Sequence, residues 1–261
     1  MVFVLSWVSW FAVSESIILI TGASRGIGAA TARLAAERGY AVCVNYRCRR
    51  DAADAVVAGI VAAGGRAIAV QADIAIEADV VRLFETIDRE LGPIRALVNN
   101  AGILEQQSRL EAIDAARVTR VFATNVIGAF VCAREAVRRM STMRGGAGGA
   151  IVNVSSRAAQ LGSPGEYIDY AASKAALETL TVGLAREVAT EGIRVNGVRV
   201  GHIYTELHAS GGEPGRVDRL APTVPMQRGG QPIEVARAIL WLLSDEASYS
   251  TGAFVDVSGG R

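Results

Sequence analysis

The sequence predicts an α/β fold with one doubly wound sheet of about seven strands, mostly or wholly parallel, and helices on both faces. Short apolar runs alternate with helix-like stretches along the whole chain, which is typical of repeated β-α units. The runs are continuous in Val, Ile and Ala, as in parallel strands that are buried on both faces. No composition break, internal repeat or linker interrupts the 261 residues, and α/β folds often hold this length as one domain.

The individual elements follow from these patterns in chain order. Apolar runs predict strands at residues 17–21, 41–45, 67–71, 94–99, 150–155, 194–200 and 253–257. Helix-like stretches predict helices at residues 26–38, 51–63, 77–91, 111–140, 169–190 and 232–243. The third helix ends at Gly92-Pro93, a pair that punctuates regular structure. Residues 143–149 are predicted to be a short flexible loop, and the polar, Gly-rich residues 205–230 a longer one.

Composition excludes several classes of protein. The 27 basic and 26 acidic residues give a net charge of +1, which argues against a nucleic-acid-binding protein and leaves no polybasic patch for a membrane. The hydrophobic content of 51% excludes a disordered chain. Three cysteines without zinc spacing and two histidines support neither a disulfide framework nor a metal site. We therefore expect free thiols, no metal and a cytoplasmic protein.

Residues 1–16 are an N-terminal extension of uncertain status. The segment is apolar and carries two of the three tryptophans. It is shorter than the ~20 residues that span a bilayer, and it lacks the basic region of a signal peptide. It is interpreted as a start extension or an arm packed on a neighbouring subunit, with a peripheral membrane contact as the alternative.

A glycine-rich turn follows the first predicted strand. It reads TGASRGIG over residues 21–28 and leads directly into a helix. Glycine lets the backbone approach a pyrophosphate without a Cβ clash, and the helix N-terminus offers N–H groups and partial positive charge to an anion. A dinucleotide-binding turn needs this strand-turn-helix context, although an ordinary connection can be rich in glycine too.

The turn resembles the cofactor signature of the classical short-chain dehydrogenase/reductase family, especially its glucose-dehydrogenase-like and 3-oxoacyl-carrier-protein-reductase-like members. The resemblance covers residues 17–261 and implies one NAD(P)-binding Rossmann domain with a substrate lid at about residues 205–230. It also implies a set of cofactor-binding residues. These are Gly22, Ser24, Arg25, Gly26, Ile27, Gly28, Asn45, Tyr46, Arg47, Asp73, Ile74, Asn99, Ala101, Gly102, Tyr170, Lys174, Gly201, Ile203 and Thr205. For Asp73, an ordinary cap at a strand end is the alternative.

The end of the second strand favours NADP(H) over NAD(H). NAD-preferring folds place an acid there, whereas this chain reads Asn45-Tyr46-Arg47 and has no carboxylate before Asp51. Arg25 and Arg47 are expected to bind the 2′-phosphate through charge-assisted hydrogen bonds. Arg49 and Arg50 are further candidates, a solvated charge run is the alternative for Arg47, Arg49 and Arg50, and use of both cofactors stays open.

Tyr170 and Lys174 are the predicted acid/base pair. A spacing of four residues places them on one helix face. A nearby ammonium favours the phenolate, so Lys174 is expected to lower the pKa of Tyr170 from its reference value near 10. The resemblance further implies that Ser156 holds the substrate oxygen and that Asn125 anchors a proton relay through Lys174. The interval from Ser156 to Tyr170 is one residue longer than usual, which keeps Ser155 as the alternative.

These residues predict an oxidoreductase that reduces a carbonyl to an alcohol, or catalyses the reverse reaction, on a small-molecule substrate. A non-catalytic NADP-binding sensor or scaffold is the alternative. Val200 supports that alternative, because it replaces the proline that the family usually has before Gly201. The resemblance also implies a homo-oligomer, a tetramer built on residues 111–140 and 169–190. Nothing in the sequence identifies the substrate.

Overall fold

The computed structural model describes residues 16–261, which contain a seven-stranded sheet. The strands are β1 (Ser16–Ile20), β2 (Tyr40–Tyr46), β3 (Ala67–Gln71), β4 (Ile94–Asn99), β5 (Gly149–Ser156), β6 (Ile193–Val200) and β7 (Phe254–Val257). All neighbouring strands pair in parallel, in the order β3-β2-β1-β4-β5-β6-β7. The predicted doubly wound fold is confirmed. The predicted extension lies outside the described residues except for Ser16, which begins β1.

Ten α-helices occur in the described part of the chain. They are α1 (Gly26–Glu37), α2 (Arg50–Ala62), α3 (Glu77–Glu90), α4 (Ala115–Phe122), α5 (Gly128–Met140), α6 (Ala158–Leu161), α7 (Ile168–Glu187), α8 (Leu207–Ser210), α9 (Arg216–Leu220) and α10 (Pro232–Leu243). Two predictions differ from these bounds. The single helix predicted at 111–140 is divided by a π-helical turn at Ala123–Ile127, and the loop predicted at 205–230 contains α8 and α9.

Two apolar cores lie on opposite faces of the sheet. Alternate residues of β1 show the division, because Ile18 and Ile20 belong to one core and Ile17 and Leu19 to the other. The first core packs α1, α2 and α10 against the sheet, and the second packs α3, α5 and the end of α7. Both faces are therefore covered, which explains why the strands are apolar without alternation.

The strand order reverses between β1 and β4, so the connections from these strands lead to opposite sides of the sheet. In open α/β sheets, ligands bind in the crevice that forms beyond the carboxyl ends of the strands at such a point. The Gly-rich turn follows β1, and residues 99–102 follow β4. Both predicted motifs therefore lie at the crevice.

The helical run Ala115–Met140 is long and apolar enough to cross a membrane by length and composition alone. Half of its most apolar stretch is buried within the fold. Val131, Cys132 and Ala136 on α5 belong to the second core. Packing against the sheet accounts for these apolar residues.

Candidate active site

Glycine is required at three positions of the turn after β1. Gly22 and Gly26 adopt φ values of +63° and +55°, which favour residues without a Cβ. A Cβ at Gly22 would lie 2.9 Å from the Cα of Ala101. A Cβ at Gly28 would lie 2.6 Å from Nδ2 of Asn100. The glycines thus bring the turn, the β4 end and the start of α1 closer together than side chains would allow.

Side-chain hydrogen bonds hold the turn in place. Oγ1 of Thr21 accepts bonds of 3.0 Å from the backbone N–H groups of Asn100 and Ala101. Nδ2 of Asn100 donates to the Thr21 carbonyl at 2.8 Å, and Oδ1 of Asn45 accepts from the Gly22 N–H at 3.2 Å. The turn is therefore fixed to the ends of both β4 and β2.

The start of α1 is suited to an anion. Arg25 precedes the helix without making a side-chain cap, and the first turn contains no acidic residue. The first N–H groups of a helix have no partner within it and carry partial positive charge. Together with the space that the glycines leave, this donor set fits the pyrophosphate of a dinucleotide.

One cavity runs from this turn to the start of α7 and gathers most of the predicted cofactor-binding residues. Its lining includes Gly22, Ser24, Arg25, Gly26, Ile27, Asn45, Tyr46, Arg47, Asp73, Ile74, Ala101, Gly102, Tyr170, Lys174 and Thr205. Besides the predicted catalytic residues Asn125 and Ser156, four predicted cofactor-binding residues do not line it. They are Gly28 and Asn99, which pack behind the turn and within the sheet, and Gly201 and Ile203, which follow β6.

The polar atoms of Asn45 are used within the protein. While Oδ1 accepts from the Gly22 N–H, Nδ2 lies 3.1 Å from the Ala72 carbonyl and 3.3 Å from the Val70 carbonyl. Asn45 is also almost fully buried. Its amide therefore joins the turn to β2 and β3, and the exposed arginines are the groups left to meet a phosphate.

Arg47 and Asp73 face each other at the cofactor end of the cavity. A guanidinium nitrogen of Arg47 lies 3.9 Å from Oδ2 of Asp73, and the Arg47 side chain is 57% exposed. Oδ1 of Asp73 accepts from the Ala75 N–H at 3.0 Å. The predicted alternative for Asp73, a cap at a strand end, thus describes one of its oxygens, while the other faces the cavity side.

The predicted catalytic side chains meet where β5 ends. Ser156 lies close enough to the Tyr170 hydroxyl to lower its pKa, and its own Oγ accepts from the Ala158 N–H at 3.1 Å. Nζ of Lys174 lies 5.6 Å from the centre of the Tyr170 ring and donates to the Val154 carbonyl at 2.7 Å. Ser155 points elsewhere, since its hydroxyl donates to Oε1 of Glu178 at 2.9 Å. This geometry favours Ser156 over the alternative Ser155.

Burial controls the ionisation of Tyr170 and Lys174. It raises the pKa of Tyr170 to about 12, and the nearby Ser156 side chain opposes this rise. Burial also lowers the pKa of Lys174 to about 8. The expected lowering of the Tyr170 pKa by Lys174 is thus reversed, because desolvation of the phenolate outweighs an ammonium that bonds to a carbonyl instead. At pH 7 the phenol is protonated.

Asn125 lies in the π-helical turn between α4 and α5 and is 1% exposed. Its Oδ1 accepts from the Ile103 N–H at 2.8 Å, and its Nδ2 donates to the hydroxyl of Ser173 at 3.0 Å. The Ser173 hydroxyl in turn donates to the Tyr170 carbonyl at 2.7 Å. Asn125 therefore connects the segment after β4 with α7. A π-turn inside an α-helix is frequent at functional sites.

The turn after β6 keeps its glycine without the preceding proline. A Cβ at Gly201 would lie 2.8 Å from the Cα of Ser258, so glycine is required by close packing. Val200 is 9% exposed and lines the cavity. Ile203 is buried and bridges to Gly230, while Thr205 contacts the space beside Gly26. The backbone here is thus held by packing and by the bridge to Gly230.

Residues 205–230 pack onto the segment just before α7. Arg216 on α9 donates to both carboxylate oxygens of Glu166, one at 2.8 Å, and its side chain is 8% exposed. The Tyr167 hydroxyl donates to the Gly211 carbonyl at 3.2 Å. Burial lowers the pKa values of both His202 and His208, that of His202 to about 4, so both rings are neutral at pH 7.

Several lining residues were not predicted from the sequence. They are Cys48, Ala72, Asn100, Ile103, Thr124, Val154, Glu206 and Leu207. Asn100 follows Asn99 in the predicted motif, so the sequence did carry a signal for it. Most of the others are small or apolar residues that meet the cavity through strand ends, for which the sequence carries no chemical signal.

The fold and this site define an oxidoreductase of the short-chain dehydrogenase/reductase family. Residues 22–261 match the family described as enoyl-(acyl carrier protein) reductase, and the chain belongs to this family. The chain is a short-chain dehydrogenase/reductase, an enzyme that acts on CH–OH or C=O groups.

Individual relatives agree over nearly the whole chain. An uncharacterized oxidoreductase, YgfF of Escherichia coli (strain K12), is 61% identical over 246 residues, which cover 94% of this chain and 100% of that protein. A 3-oxoacyl-(acyl-carrier-protein) reductase of Synechocystis sp. is 39% identical over 95% of this chain and 98% of its own. A short-chain dehydrogenase of Burkholderia cenocepacia J2315, solved in complex with NADP, superposes with a TM-score of 0.86 at 33% identity, covering 95% of this chain and 98% of that one.

Proposed function

We propose that the chain is an NADP(H)-dependent enzyme that reduces a carbonyl to an alcohol, or catalyses the reverse oxidation, with Tyr170 as general acid/base. The observation that carries this proposal is that Tyr170 and Lys174 line the cavity that begins at the Gly-rich turn, with Ser156 beside the Tyr170 hydroxyl. NADPH, when bound, supplies a hydride to the carbonyl carbon.

The side chains of this site perform the rest of the reaction. Tyr170 and Ser156 hold the carbonyl oxygen between two hydroxyl groups and stabilise the negative charge that develops on it. Tyr170 gives its proton to that oxygen, because its raised pKa keeps it protonated at neutral pH. Lys174 holds a positive charge beside the ring, and its ammonium passes to Tyr170 a proton that solvent water replaces, with Asn125 as the anchor of this relay.

Gly22, Gly26, Ile27 and Gly28 would hold the pyrophosphate end, and Arg25 and Arg47 the 2′-phosphate. The proposal for NADP(H) rests on the absence of a carboxylate at the end of β2 and on the exposed guanidinium of Arg47 in the cavity lining. The NADP complex of the Burkholderia cenocepacia relative supports it. Asp73, 3.9 Å from Arg47, orients this guanidinium without neutralising the second cation, Arg25.

Residues 205–230 are proposed to form the substrate lid within a single domain of residues 17–261. α8 and α9 lie in this segment, and the bond between Arg216 and Glu166 joins it to the start of α7. Loops of this length that carry their own structure are often functional.

The test of the catalytic proposal is consumption of NADPH with a panel of ketones, aldehydes, sugars and 3-oxoacyl thioesters. Tyr170→Phe is expected to lose at least ~100-fold in kcat while its Kd for NADPH stays within about twofold, because the phenol supplies a proton and not a cofactor contact alone. Unchanged turnover in Tyr170→Phe would refute the assignment of the acid.

Tyr167→Phe is the matched control. Tyr167 lies three residues earlier, but it donates to the Gly211 carbonyl and has no lysine four residues further on. It is expected to keep kcat within about threefold. An equal loss in both variants would point to a disturbed helix start rather than to acid catalysis.

Cofactor preference is tested by kcat/KM with NADPH and NADH. Arg47→Ala is expected to lower the value for NADPH by about tenfold or more and to leave that for NADH almost unchanged. Arg50→Ala is the control, because Arg50 is exposed, pairs with Asp54 at 3.4 Å and does not line the cavity. A wild type that prefers NADH would contradict the proposal.

A sensor or scaffold that binds NADP without turnover is the second candidate, and Val200 in place of proline favours it. The same panel separates the two. A sensor binds NADPH, but none of the carbonyl compounds in the panel causes it to consume NADPH. The retention of Asn125, Ser156, Tyr170 and Lys174 favours the enzyme, since binding alone does not need the acid/base pair.

A further inference from the structure

A second polar group lies directly beneath the proposed catalytic residues. The carboxylate of Glu178 on α7 receives two parallel bonds from Arg199 on β6, Nε to Oε1 at 2.8 Å and the terminal nitrogen to Oε2 at 2.9 Å. The hydroxyl of Ser155 on β5 donates to the same Oε1 at 2.9 Å and lies 3.4 Å from the Lys174 carbonyl. Three elements of the site therefore meet at one carboxylate.

The pair is held rigidly on its far side as well. The side chains of Arg199 and Glu178 are 19% and 15% exposed. The Arg199 guanidinium lies 4.2 Å above the centre of the Phe254 ring and 3.6 Å from a carboxylate oxygen of Asp256, both on β7. A bidentate, stacked guanidinium is geometrically more specific than a single ammonium contact would be.

α7 has one large buried aliphatic side chain, so polar contacts fix its register; besides the pair of Glu178 and Arg199, these are the bonds from Arg117 to Asp169 at 2.7 and 3.1 Å and from Asn153 to Thr181 at 2.8 Å. Among its buried residues Leu177 is the only large aliphatic one, and the rest are small or polar: Asp169, Ala171, Ser173, Lys174, Thr181 and Ala185. Contacts between small residues are non-directional and tolerate sliding, whereas a bidentate ion pair permits one arrangement. Fixing the register of packed elements is the best-attested role of buried polar groups.

The position of α7 along β5 affects the catalytic residues because the residues of this ion pair are close to them in the sequence. Ser155 is adjacent to Ser156, and Glu178 lies one helical turn beyond Lys174. In the sheet, Ser155 is paired with Arg199 and Ser156 with Val200. A slip of α7 along β5 would therefore change the distance between Lys174 or Tyr170 and the Ser156 hydroxyl.

We propose that Glu178 and Arg199 are positioning residues, whose ion pair, shared with Ser155, sets the place of Tyr170 and Lys174 relative to Ser156. The pair does not touch the reacting atoms. The inference rests on the proposed function in so far as the positioned residues are catalytic.

The test uses the double variant Glu178→Leu/Arg199→Met, which removes both charges together and leaves neither buried alone. Replacement of a buried ion pair by apolar residues of similar size is often neutral for stability, so the variant is expected to fold. We expect kcat for carbonyl reduction to fall by about 10- to 100-fold, since a displacement near 1 Å costs rate on this scale. KM for NADPH is expected to stay within about threefold.

An independent readout comes from the fact that Lys174 is the only lysine in the chain. Protein labelled with ¹³C-lysine gives one side-chain lysine signal, and its titration by NMR reports the pKa of Lys174 directly. The pKa of Lys174 lies at about 8 because the ammonium is buried. Loss of register opens the site to water, so in the double variant the titration is expected to move upward toward the ordinary lysine value.

Two further variants complete the test. Glu178→Gln keeps one acceptor oxygen where the carboxylate has two, so it loses one of the two parallel bonds and is expected to lower kcat less than the double variant does. Asp88→Asn/Arg139→Met removes an ion pair of 2.7 Å between the C-terminal ends of α3 and α5, at the opposite edge of the sheet, and is expected to change neither readout.

The outcomes are distinct. An unchanged kcat and an unchanged Lys174 titration in the folded double variant would overturn the positioning role. If none of the carbonyl compounds causes the wild type to consume NADPH, the proposed function fails. The NMR titration of Lys174 then decides the inference alone. Equal effects in the Asp88/Arg139 variant would also overturn the positioning role, because the loss of any ion pair would then be enough to change kcat and the lysine titration.

Discussion

Replacing Lys174 by methionine should change how the stability of the protein depends on pH. The pKa of Lys174 is about 8 in the folded chain, against 10.5 for an ordinary lysine. Between these values the unfolded chain holds a proton that the folded chain has released. Stability therefore rises as the pH increases from about 8 to 10.5, since it rises wherever the unfolded state binds more protons.

The size of this effect follows from the displacement of the pKa. The two pKa values differ by about 2.5, and one pKa unit corresponds to about 1.36 kcal/mol. Burial of the charged lysine therefore destabilises the folded chain by about 3 kcal/mol below pH 8, and this cost is gone above pH 10.5. Lys174→Met cannot titrate, so its stability is expected to lack this rise. It leaves the Val154 carbonyl without its 2.7 Å donor, which costs about 1–3 kcal/mol at every pH.

The measurement is urea denaturation of wild type and Lys174→Met at intervals from pH 7 to 10. Tyrosines and cysteines titrate in both proteins, so the difference between the two curves isolates the lysine. That difference is expected to shift in favour of the wild type by about 2 kcal/mol or more across this range. Parallel curves would refute the reasoning, because they would mean that Lys174 ionises in the folded chain as it does in water.

Three other changes test separate parts of the structure. Gly22→Ala should abolish binding of NADPH in a fluorescence titration while the protein stays folded, because the new Cβ would lie 2.9 Å from Ala101 at a φ of +63°; binding within threefold of wild type would contradict the role of the turn. Arg216→Met should raise KM for the carbonyl substrate more than KM for NADPH, since it frees residues 205–230 from Glu166; equal KM values would argue against a lid. Phe130→Asp, at a side chain that is 48% exposed on α5, should lower the mass seen by light scattering if the chain forms the expected tetramer, and an unchanged mass would exclude this helix from the interface.

The sequence predicted the sheet well because its strands carry a simple physical signal. A strand buried on both faces must be apolar throughout, so β3 and β4 were predicted with their observed bounds and the others within one residue. Helix ends were less certain where no cap marks them. α7 ends at Glu187, followed by a 3₁₀ turn, whereas the prediction extended to residue 190.

Local backbone geometry left no comparable trace in the sequence. The π-turn at Ala123–Ile127 has the same apolar spacing as the α-helices on either side, so a single helix was predicted across it. α8 and α9 are short and lie among glycines and prolines, which are typical of loops. In both cases tertiary packing decides the backbone, and single-residue preferences do not record it.

Asn45 shows a limit of a different kind. Its position at the end of β2 correctly predicted a place in the cavity lining, but position alone does not say which way an amide turns. The structure turns it inward, where one side chain joins the Gly-rich turn to β2 and β3. The selection of a 2′-phosphate is thereby left to charged groups that project outward, Arg25 and Arg47.

The ionisation of Tyr170 indicates the direction in which the site is ready to work. With its pKa raised to about 12, the phenol is protonated at neutral pH, and with a pKa of about 8 most of the Lys174 population is charged. A site in this state can donate a proton to a developing alkoxide but has no base to accept one from an alcohol. Reduction at neutral pH therefore needs no prior ionisation, whereas oxidation requires that the phenolate first be stabilised against the burial that disfavours it. We accordingly expect the reductive rate to be level near pH 7 and to decline above about 8, as Lys174 loses the charge that supports the ring.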